Sequence, residues 1–482
     1  MTPPGASFRD PAGSCGLVDG RILRVLDEGN AADFGAFLRT PSAQRFAAQQ
    51  QLVSTRRLPE SEVAALLESP HLWALLAARP AEAVFEHDRI LFPSYPYEWP
   101  PEMLWEAGRL TLELARGCLA DGYGLKDATP YNVLFRGCRP IFIDVGSFTP
   151  RLAGDPVWRP YGQFVRTFLL PLLVNQHWGF PVGDVFRTRR DGLKPQEVYR
   201  LCGPLERLKP QILSLVSMPT WLAGKARAEG EKLYEPRTLA NAEKARFILE
   251  SLLKRLQRSL ESLKPATGKD SAWSGYMGNH SYSEPAFAAK EQFIDKVLEE
   301  FKPKRVLDAG ANTGHFSVRS ARAGAEVVAI DADPVCMGLL WREASAQGLN
   351  ILPLVVDLSR PTPALGWRYR ECWSFLGRAT GAFDCVLMLA LIHHLLINER
   401  IPLEEILGLA SELTTSLLVV EFVAPTDEMF RELARGREKL HDHLDEPVFE
   451  EACTQHFDIV RSLPLPDTHR RLYLLRKKGG RG

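Results

Sequence analysis

The run VLDAGANTGHFS, residues 306–317, limits the possible folds of this chain more than any other segment does. A strand-like apolar segment ends at Asp308, and a turn that includes Gly310, Asn312 and Gly314 leads into a helical segment. Small residues let a ligand approach the backbone at the carboxyl end of a strand. The N–H groups exposed where the helix begins can bind an anion such as a carboxylate. The run therefore predicts a ligand site at the edge of a parallel sheet.

The C-terminal part of the chain alternates between strand-like and helical segments. The strand-like runs are 305–309, 326–331, 351–357, 383–391 and 416–423, with helical stretches around 315–323, 334–347 and 402–413. A helix at 446–457 and two strand candidates, 458–465 and 471–476, end the chain. This alternation predicts an α/β fold with a mostly parallel sheet and helices on both faces. The last two runs predict an antiparallel hairpin at one edge, which makes seven strands.

Two acids follow the next strands of this predicted sheet. Asp331 ends the run EVVAID about 20 residues after the glycine turn, where a carboxylate can accept hydrogen bonds from the ribose of an adenosyl ligand. Asp357 ends the third strand and is positioned for the adenine amino group. The alternative is that either acid caps a helix or solvates a loop. The third glycine of a G-x-G-x-x-G run is absent, which disfavours NAD, and we predict S-adenosylmethionine (SAM) as the cofactor.

Three residues at the ends of the fourth and fifth strands are candidates for catalysis. His393 and His394 in LALIHHLLI lie beside the expected methyl group, and histidine can take a proton from a methyl acceptor. Alternatively, one of them bonds the backbone while the other packs. Glu421 lies inside the apolar run LLVVEFV and is either an acid of the substrate site or a salt-bridged structural acid.

Two further segments are candidates for ligand contacts. The long connection 358–382 leaves the predicted ligand edge, so Trp367, Arg368 and Trp373 are candidate substrate contacts, unless the segment is a packed surface excursion. Three aromatic residues precede the first helix of this part, where they either cover SAM or simply pack: Trp273, Tyr276 and Tyr282.

Size and composition limit the remaining possibilities. The chain has 482 residues, more than one hydrophobic core supports, so two or three domains are expected. Lys plus Arg and Asp plus Glu both number 59, and this balance argues against a nucleic-acid partner. The eight cysteines form no C-x-x-C pair, so no structural metal site is expected. We find neither a secretory signal nor an apolar run that could span a membrane, and we expect a cytoplasmic protein of undetermined oligomeric state.

The N-terminal half carries a different motif. Asp127 and Asn132 in LKDATPYN have the D-x-x-x-x-N spacing of a kinase catalytic loop, and Asp144 in IDVGSF follows a predicted strand pair. In a kinase, the acid at Asp127 would orient the acceptor hydroxyl, and Asn132 and Asp144 would hold magnesium. Residues 1–125 contain no lysine and no glycine-rich phosphate loop, and Leu125 stands where a catalytic loop usually has histidine. An arginine could replace the lysine, although its fixed fork is not equivalent. We expect a kinase-like fold that binds substrate or nucleotide rather than a working kinase, with Mg-ATP as a candidate ligand.

Residues 273–482 resemble the class I SAM-dependent methyltransferases, which implies a seven-stranded Rossmann-like domain. The stretches SYPYEWP, LKDATPYNVLF, DAGANTGHFS, LALIHHL and VVEFV are similar to the NoeA-type, nodulation-protein-like methyltransferases over nearly the whole chain. With the kinase-like motif, this gives an α+β kinase-like N-lobe at 1–98, a mostly helical C-lobe at 99–263, a linker at 264–272 and the methyltransferase domain at 273–482.

The leading functional hypothesis is a SAM-dependent methyltransferase that acts on an oxygen or nitrogen of a small-molecule or carbohydrate-type acceptor, with a non-catalytic kinase-like domain. Two alternatives stay open. One is a bifunctional kinase–methyltransferase that tailors a glycan, and the other is a non-catalytic SAM-binding scaffold.

Overall fold

A computed structural model describes residues 12–66, 83–226, 238–266, 283–436, 440 and 443–479. The chain divides into two compact units. The first unit comprises residues 1–135, 140–267 and 365–372, and the second comprises residues 136–139, 268–364 and 373–482.

The described part of the first unit begins with strands. In the described residues, four antiparallel strands form a sheet in the order β1–β2–β4–β3: β1 Gly13–Val18, β2 Arg21–Leu26, β3 Thr55–Arg57 and β4 Ala83–His87. No strands were predicted for residues 13–26, so β1 and β2 are new findings of the structure. Asp19 and Gly20, with φ of 49° and 84°, form the two-residue turn between β1 and β2. An Asp-Gly pair between apolar runs is a strong hairpin signal, and it was present in the sequence.

The rest of the first unit is mostly helical. Its described residues include two short strand pairs: β5 Tyr123–Leu125 with β8 Phe148–Pro150, and β6 Val133–Arg136 with β7 Arg139–Phe142. Residues 136–139, at the tip of the second pair, belong to the second unit. The described α-helices are Glu28–Leu38, Pro41–Ala48, Glu60–Leu66, Pro101–Gly117, Tyr161–Phe164, Leu170–Trp178, Val182–Thr188, Pro195–Leu201, Pro210–Ile212, Met218–Ala226 and Ala242–Glu261. The first two of these helices were not predicted, although Asp27 and Thr40 cap them with side-chain oxygens.

Among the described residues of the second unit, seven strands form one sheet in the order β11–β10–β9–β12–β13–β15–β14. The strands are β9 Arg305–Ala309, β10 Glu326–Asp331, β11 Ile351–Val355, β12 Phe383–Met388, β13 Thr414–Val423, β14 Phe457–Pro464 and β15 Arg470–Lys477. The strands β9 to β13 are parallel, and β14 and β15 form the antiparallel edge pair. The predicted mostly parallel α/β sheet is therefore observed, and the carboxyl ends of its parallel strands meet at one edge.

Helices of the second unit bury apolar faces against this sheet. Glu284–Phe301 begins at Ser283, whose hydroxyl accepts a hydrogen bond from the backbone of Ala286. Pro334–Gln347 ends at Gly348, which adopts the left-handed conformation at φ 66°. The other described helices are His315–Arg322, Phe375–Ala379, Ile392–Ile397, Leu403–Leu413, Glu428–Ala434 and Glu446–Thr454.

Two strands end earlier than predicted. β11 ends at Val355, so Asp357 lies in the following loop. β12 ends at Met388, and the backbone then turns at Ala390, a non-glycine residue with φ 51°. In this conformation the β-carbon crowds the neighbouring carbonyl oxygen, so residues other than glycine seldom adopt it. The sequence therefore did not predict a turn at Ala390.

The glycine turn gives a prediction for stability. Gly314 has φ 86°, and a β-carbon there would lie 2.2 Å from Leu340 Cδ1. Gly324 has φ 97°, and a β-carbon there would meet no atom of the described residues within 4 Å. Gly314→Ala should lower the free energy of unfolding by about 1–3 kcal/mol more than Gly324→Ala, because overpacking adds to the same backbone strain. Equal losses in denaturant unfolding of the two variants would contradict the close contact with Leu340.

Candidate active site

The carboxyl edge of the sheet brings the glycine turn and Asp331 together. The N–H groups of Gly310 and Ala311 donate to Ile330 O at 2.9 and 3.0 Å, which joins the turn to the neighbouring strand β10. Asp331 Oδ2 accepts from the backbone N–H of Asn312 at 2.9 Å. The acid and the turn, which were predicted from separate parts of the sequence, are therefore joined by a direct hydrogen bond.

Asp331 is not the cap of the following helix. That cap is Asp333, whose Oδ1 accepts from the N–H of Val335 at 2.8 Å. Asp331 Oδ1 accepts from the N–H of Asp333 at 2.9 Å. Burial raises the pKa of Asp331, although these backbone hydrogen bonds act in the opposite direction. Each carboxylate oxygen has two lone pairs, so the side chain retains capacity for further hydrogen bonds.

Asp308 supports the turn from inside the sheet. Its side chain is only 3% exposed, and Oδ2 accepts from Ser317 Oγ at 2.6 Å. Burial raises the pKa of Asp308 to about 6. This hydrogen bond joins the end of β9 to the start of the helix His315–Arg322. The glycine turn lies between these two elements, so both of its ends are held in place.

Asp357 is engaged within its own loop. Oδ1 accepts from the N–H and Oγ of Ser359 at 2.9 and 2.6 Å, and Oδ2 accepts from Arg360 Nε at 3.3 Å. Burial opposes ionisation, but these hydrogen bonds lower the pKa of Asp357 overall. These contacts match the loop-solvating alternative, and a contact of Asp357 with adenine stays a prediction.

His393 and His394 follow the turn at Ala390, and their rings lie 4.3 Å apart between centroids. His393 is 3% exposed, and its buried Nδ1 has no hydrogen-bond partner among the described residues. His394 is half-buried, and its Nδ1 lies 3.4 Å from Asn398 Nδ2. Burial lowers the pKa of both histidines, which favours the neutral form that can accept a proton.

Glu421 lies in a buried group of charged residues. Its side chain is fully buried, and Oε2 lies 2.6 Å from Lys290 Nζ. Oε1 lies 3.6 Å from Arg470 Nη1, and Arg470 also bonds both oxygens of Asp427 at 2.9 and 3.1 Å. These contacts match the structural, salt-bridged alternative for Glu421. We call Lys290, Glu421, Arg470 and Asp427 the buried ion cluster.

The buried ion cluster also holds the backbone in front of the histidines. Glu421 Oε2 accepts from the N–H of Ala390 at 3.1 Å. The left-handed conformation of Ala390 costs roughly 1–2 kcal/mol and persists only where neighbouring contacts stabilise it. Sequence reasoning missed Lys290, although it recurs at helix spacing with the apolar residues Ala286 and Ile294.

The kinase-like residues of the first unit also come together. Asn132 Nδ2 donates to Ser147 Oγ at 3.3 Å, and Ser147 Oγ donates to Asp144 Oδ2 at 2.6 Å. The loop that carries the half-buried Asp127 is joined to the same serine, because the N–H of Lys126 donates to Ser147 O at 2.8 Å. Ser147 is the serine of the IDVGSF motif, which sequence reasoning quoted without assigning a role to it.

The other ligand predictions have different outcomes. Trp273, Tyr276 and Tyr282 lie outside the described residues. Trp367 is 62% exposed and, with Arg368, falls in residues 365–372 of the first unit, whereas Trp373 falls in the second. Their contact with substrate stays a prediction. In the described ranges, no three His, Cys, Asp or Glu side chains are grouped as metal ligands, and no helix is long and apolar enough to cross a membrane.

The strand order of the second unit is the one expected of a class I methyltransferase domain. No protein-family model matches the chain. The nodulation protein NoeA of Rhizobium meliloti (strain 1021) is 30% identical over 472 residues, which cover 97% of this chain and 94% of that protein. The chain therefore belongs to the NoeA family of nodulation proteins, and the resemblance drawn from its motifs is confirmed.

Solved structures give weaker likenesses. The bifunctional kinase-methyltransferase WbdD matches at 17% identity and a TM-score of 0.30, over 42% of each chain. The N-methyltransferase NodS of Bradyrhizobium japonicum WM9 matches at 13% identity and a TM-score of 0.30, over 40% of this chain and 98% of its own. Magnesium protoporphyrin IX methyltransferase of Synechocystis PCC 6803, solved with bound SAH, matches at 20% identity and a TM-score of 0.30, over 42% and 92%.

The buried ion cluster gives the second prediction. Glu421→Gln should lower the free energy of unfolding by about 3–5 kcal/mol, because it removes a negative charge that pairs with the buried positive charges of Lys290 and Arg470. Glu300→Gln is the matched control, since Glu300 pairs with Arg461 at 2.7 Å on the surface and should cost less than about 1 kcal/mol. Chemical denaturation of the two variants measures both decreases in the free energy of unfolding. Similar decreases would show that the buried ion cluster stabilises the fold no more than the surface pair does.

Proposed function

We propose that this protein is a SAM-dependent methyltransferase that acts on an oxygen or nitrogen of a small-molecule or carbohydrate-type acceptor. The observation that carries the proposal is the hydrogen bond between Asp331 and the N–H of Asn312, which places an acid beside a glycine turn at the carboxyl edge of the sheet. Membership of the NoeA family is consistent with it.

The residues at this edge fit the three parts of SAM. The N–H groups of the turn at Gly310–Gly314 suit the methionine carboxylate, because a helix begins directly after the turn. Asp331 suits the ribose hydroxyls through its remaining lone pairs, and Asp357 is the candidate for adenine. When bound, SAM supplies a methyl group on a sulfonium, which an acceptor displaces in line.

The histidines suit the acceptor side of this reaction. A hydroxyl acceptor loses a proton as it takes the methyl group, so a neutral histidine beside it can act as a base. We assign this role to His394, since it is half-buried, whereas His393 is 3% exposed. Glu421 is then a positioning residue, because it bonds the backbone of Ala390 ahead of the histidines. We propose no phosphoryl transfer for the first unit, whose kinase-like interpretation stays a prediction.

SAM binding gives the third prediction. Asp331→Ala should raise the Kd for SAM and for S-adenosylhomocysteine by roughly 100-fold, because hydrogen bonds to a charged group contribute about 3 kcal/mol together. Isothermal titration calorimetry measures the change. Asp384→Ala is the matched control, since this carboxylate also accepts two backbone N–H bonds, from Lys304 and Arg305, at the opposite edge of the sheet. Undiminished binding by Asp331→Ala, or equal losses in both variants, would exclude the assigned ribose contact.

The assignment of the base gives the fourth prediction. His394→Asn should lower the rate of methyl transfer by roughly 100-fold or more, whereas His443→Asn, a change at an exposed histidine, should not. Burial lowers the pKa of His394, so wild-type activity should be lost as pH falls through a midpoint below 6.5. The measurement is the pH–rate profile of methyl transfer from labelled SAM to an extract of the source cells. An acid limb centred above 6.5, or one that survives in His394→Asn, would rule His394 out as the base.

A further inference from the structure

Asp144 of the first unit stands where a kinase-like site would have a metal-binding acid, and a cation already lies against it. Arg24 Nη2 is 3.3 Å from Asp144 Oδ1. We propose that Arg24 takes the place of a divalent cation at Asp144, so that the Asp127–Asn132–Asp144 motif binds no metal. This inference concerns the first unit and is independent of the methyltransferase proposal.

Both oxygens of Asp144 have partners within the protein. Oδ1 lies against Arg24, and Oδ2 accepts from Ser147 Oγ at 2.6 Å. Magnesium requires oxygen ligands at about 2.0–2.1 Å in a nearly octahedral arrangement. A metal at Oδ1 would meet the positive guanidinium of Arg24, so it would have to displace the arginine. The carboxylate of Asp144 is therefore poorly suited to a divalent cation in this arrangement.

Arg24 is built into the fold and cannot leave easily. It lies in the middle of β2, and its side chain is 8% exposed. A buried guanidinium requires a negative partner, and removal of that partner is costly. The guanidinium also lies 5.9 Å from the centre of the Phe34 ring. These contacts hold the guanidinium of Arg24 beside Asp144.

Two neighbouring residues are consistent with an arginine at this place. Gly146 leaves room for the pair, because a β-carbon there would lie 3.2 Å from Arg24 Nη1 and 3.4 Å from Asp144 Oδ1. His87, which is buried on β4, does not compete as a cation. Burial lowers its pKa to about 3, and the charge of Arg24 contributes to the shift. The positive charge beside Asp144 is therefore that of Arg24.

The absence of lysine from residues 1–125 is consistent with this proposal. In a kinase, a lysine pairs with the phosphates of the nucleotide, whereas Arg24 pairs with the carboxylate of Asp144 within the protein. The Arg24–Asp144 pair links β2 to the loop after β7, two segments that are 120 residues apart. Its role is then to hold these segments of the first unit together in the way that a bound metal would.

Mn²⁺ binding to the full-length protein tests this proposal. Electron paramagnetic resonance of free Mn²⁺, with and without ATP, would be compared among the wild type, Asp144→Asn, Arg24→Met, Arg24→Lys and the Arg24→Met/Asp144→Asn double variant. SAM binding by each variant would show that the second unit is intact. Asparagine keeps the shape of Asp144, so the comparison of Asp144→Asn with the wild type does not depend on the folding of Arg24→Met.

The proposal expects the wild type, Asp144→Asn and Arg24→Lys to bind Mn²⁺ equally, with or without ATP. Arg24→Met should bind Mn²⁺ at least tenfold more tightly than the wild type, and the double variant should lose this gain. Wild-type binding that Asp144→Asn weakens tenfold would overturn the proposal, because Asp144 would then be a metal ligand. The proposal would also fail if Arg24→Met bound Mn²⁺ no better than the wild type.

Discussion

The hydrogen bond from Ala390 N–H to Glu421 joins the buried charges of the second unit to the carboxyl edge of its sheet. Parallel strands bring their carboxyl ends to one edge, and there the backbone must turn sharply to leave room for a ligand. One such turn places Ala390 in a strained conformation, and the carboxylate of Glu421 holds it. The positive charges of Lys290 and Arg470 balance the negative charge of this carboxylate. The ion cluster is thus part of the scaffold on which His393 and His394 are placed.

In both units a buried charged side chain, Glu421 in the second and Arg24 in the first, pairs with an opposite charge from a distant part of the chain. In the second unit, 131 residues separate Lys290 from Glu421. In the first unit, 120 residues separate Arg24 from Asp144. Truncation of one member of such a pair leaves a buried charge, so each pair constrains its unit more strongly than an exposed ion pair would.

Much of the second unit could be predicted because its signals are local. Apolar runs that alternate with helical periods placed each strand within a few residues, and the spacing from Gly310 to Asp331 placed the acid beside the turn. The partners of Glu421 could not be predicted, since no local pattern relates Lys290 or Arg470 to a strand more than 40 residues away. In the first unit the Asp19–Gly20 hairpin signal was available and was overlooked, whereas the pairing of Arg24 with Asp144 depends on the tertiary fold.

Methyl transfer from SAM can be measured by incubation of the purified protein with methyl-labelled SAM and an extract of the source cells, followed by mass spectrometry of the labelled product. We expect a product that is one methyl group heavier than its precursor, with the label on an oxygen or nitrogen. The wild type and Asp384→Ala should form this product, and Asp331→Ala should not. SAM that binds tightly while no compound in the extract becomes labelled would contradict the account, since the protein would then bind SAM without transferring its methyl group.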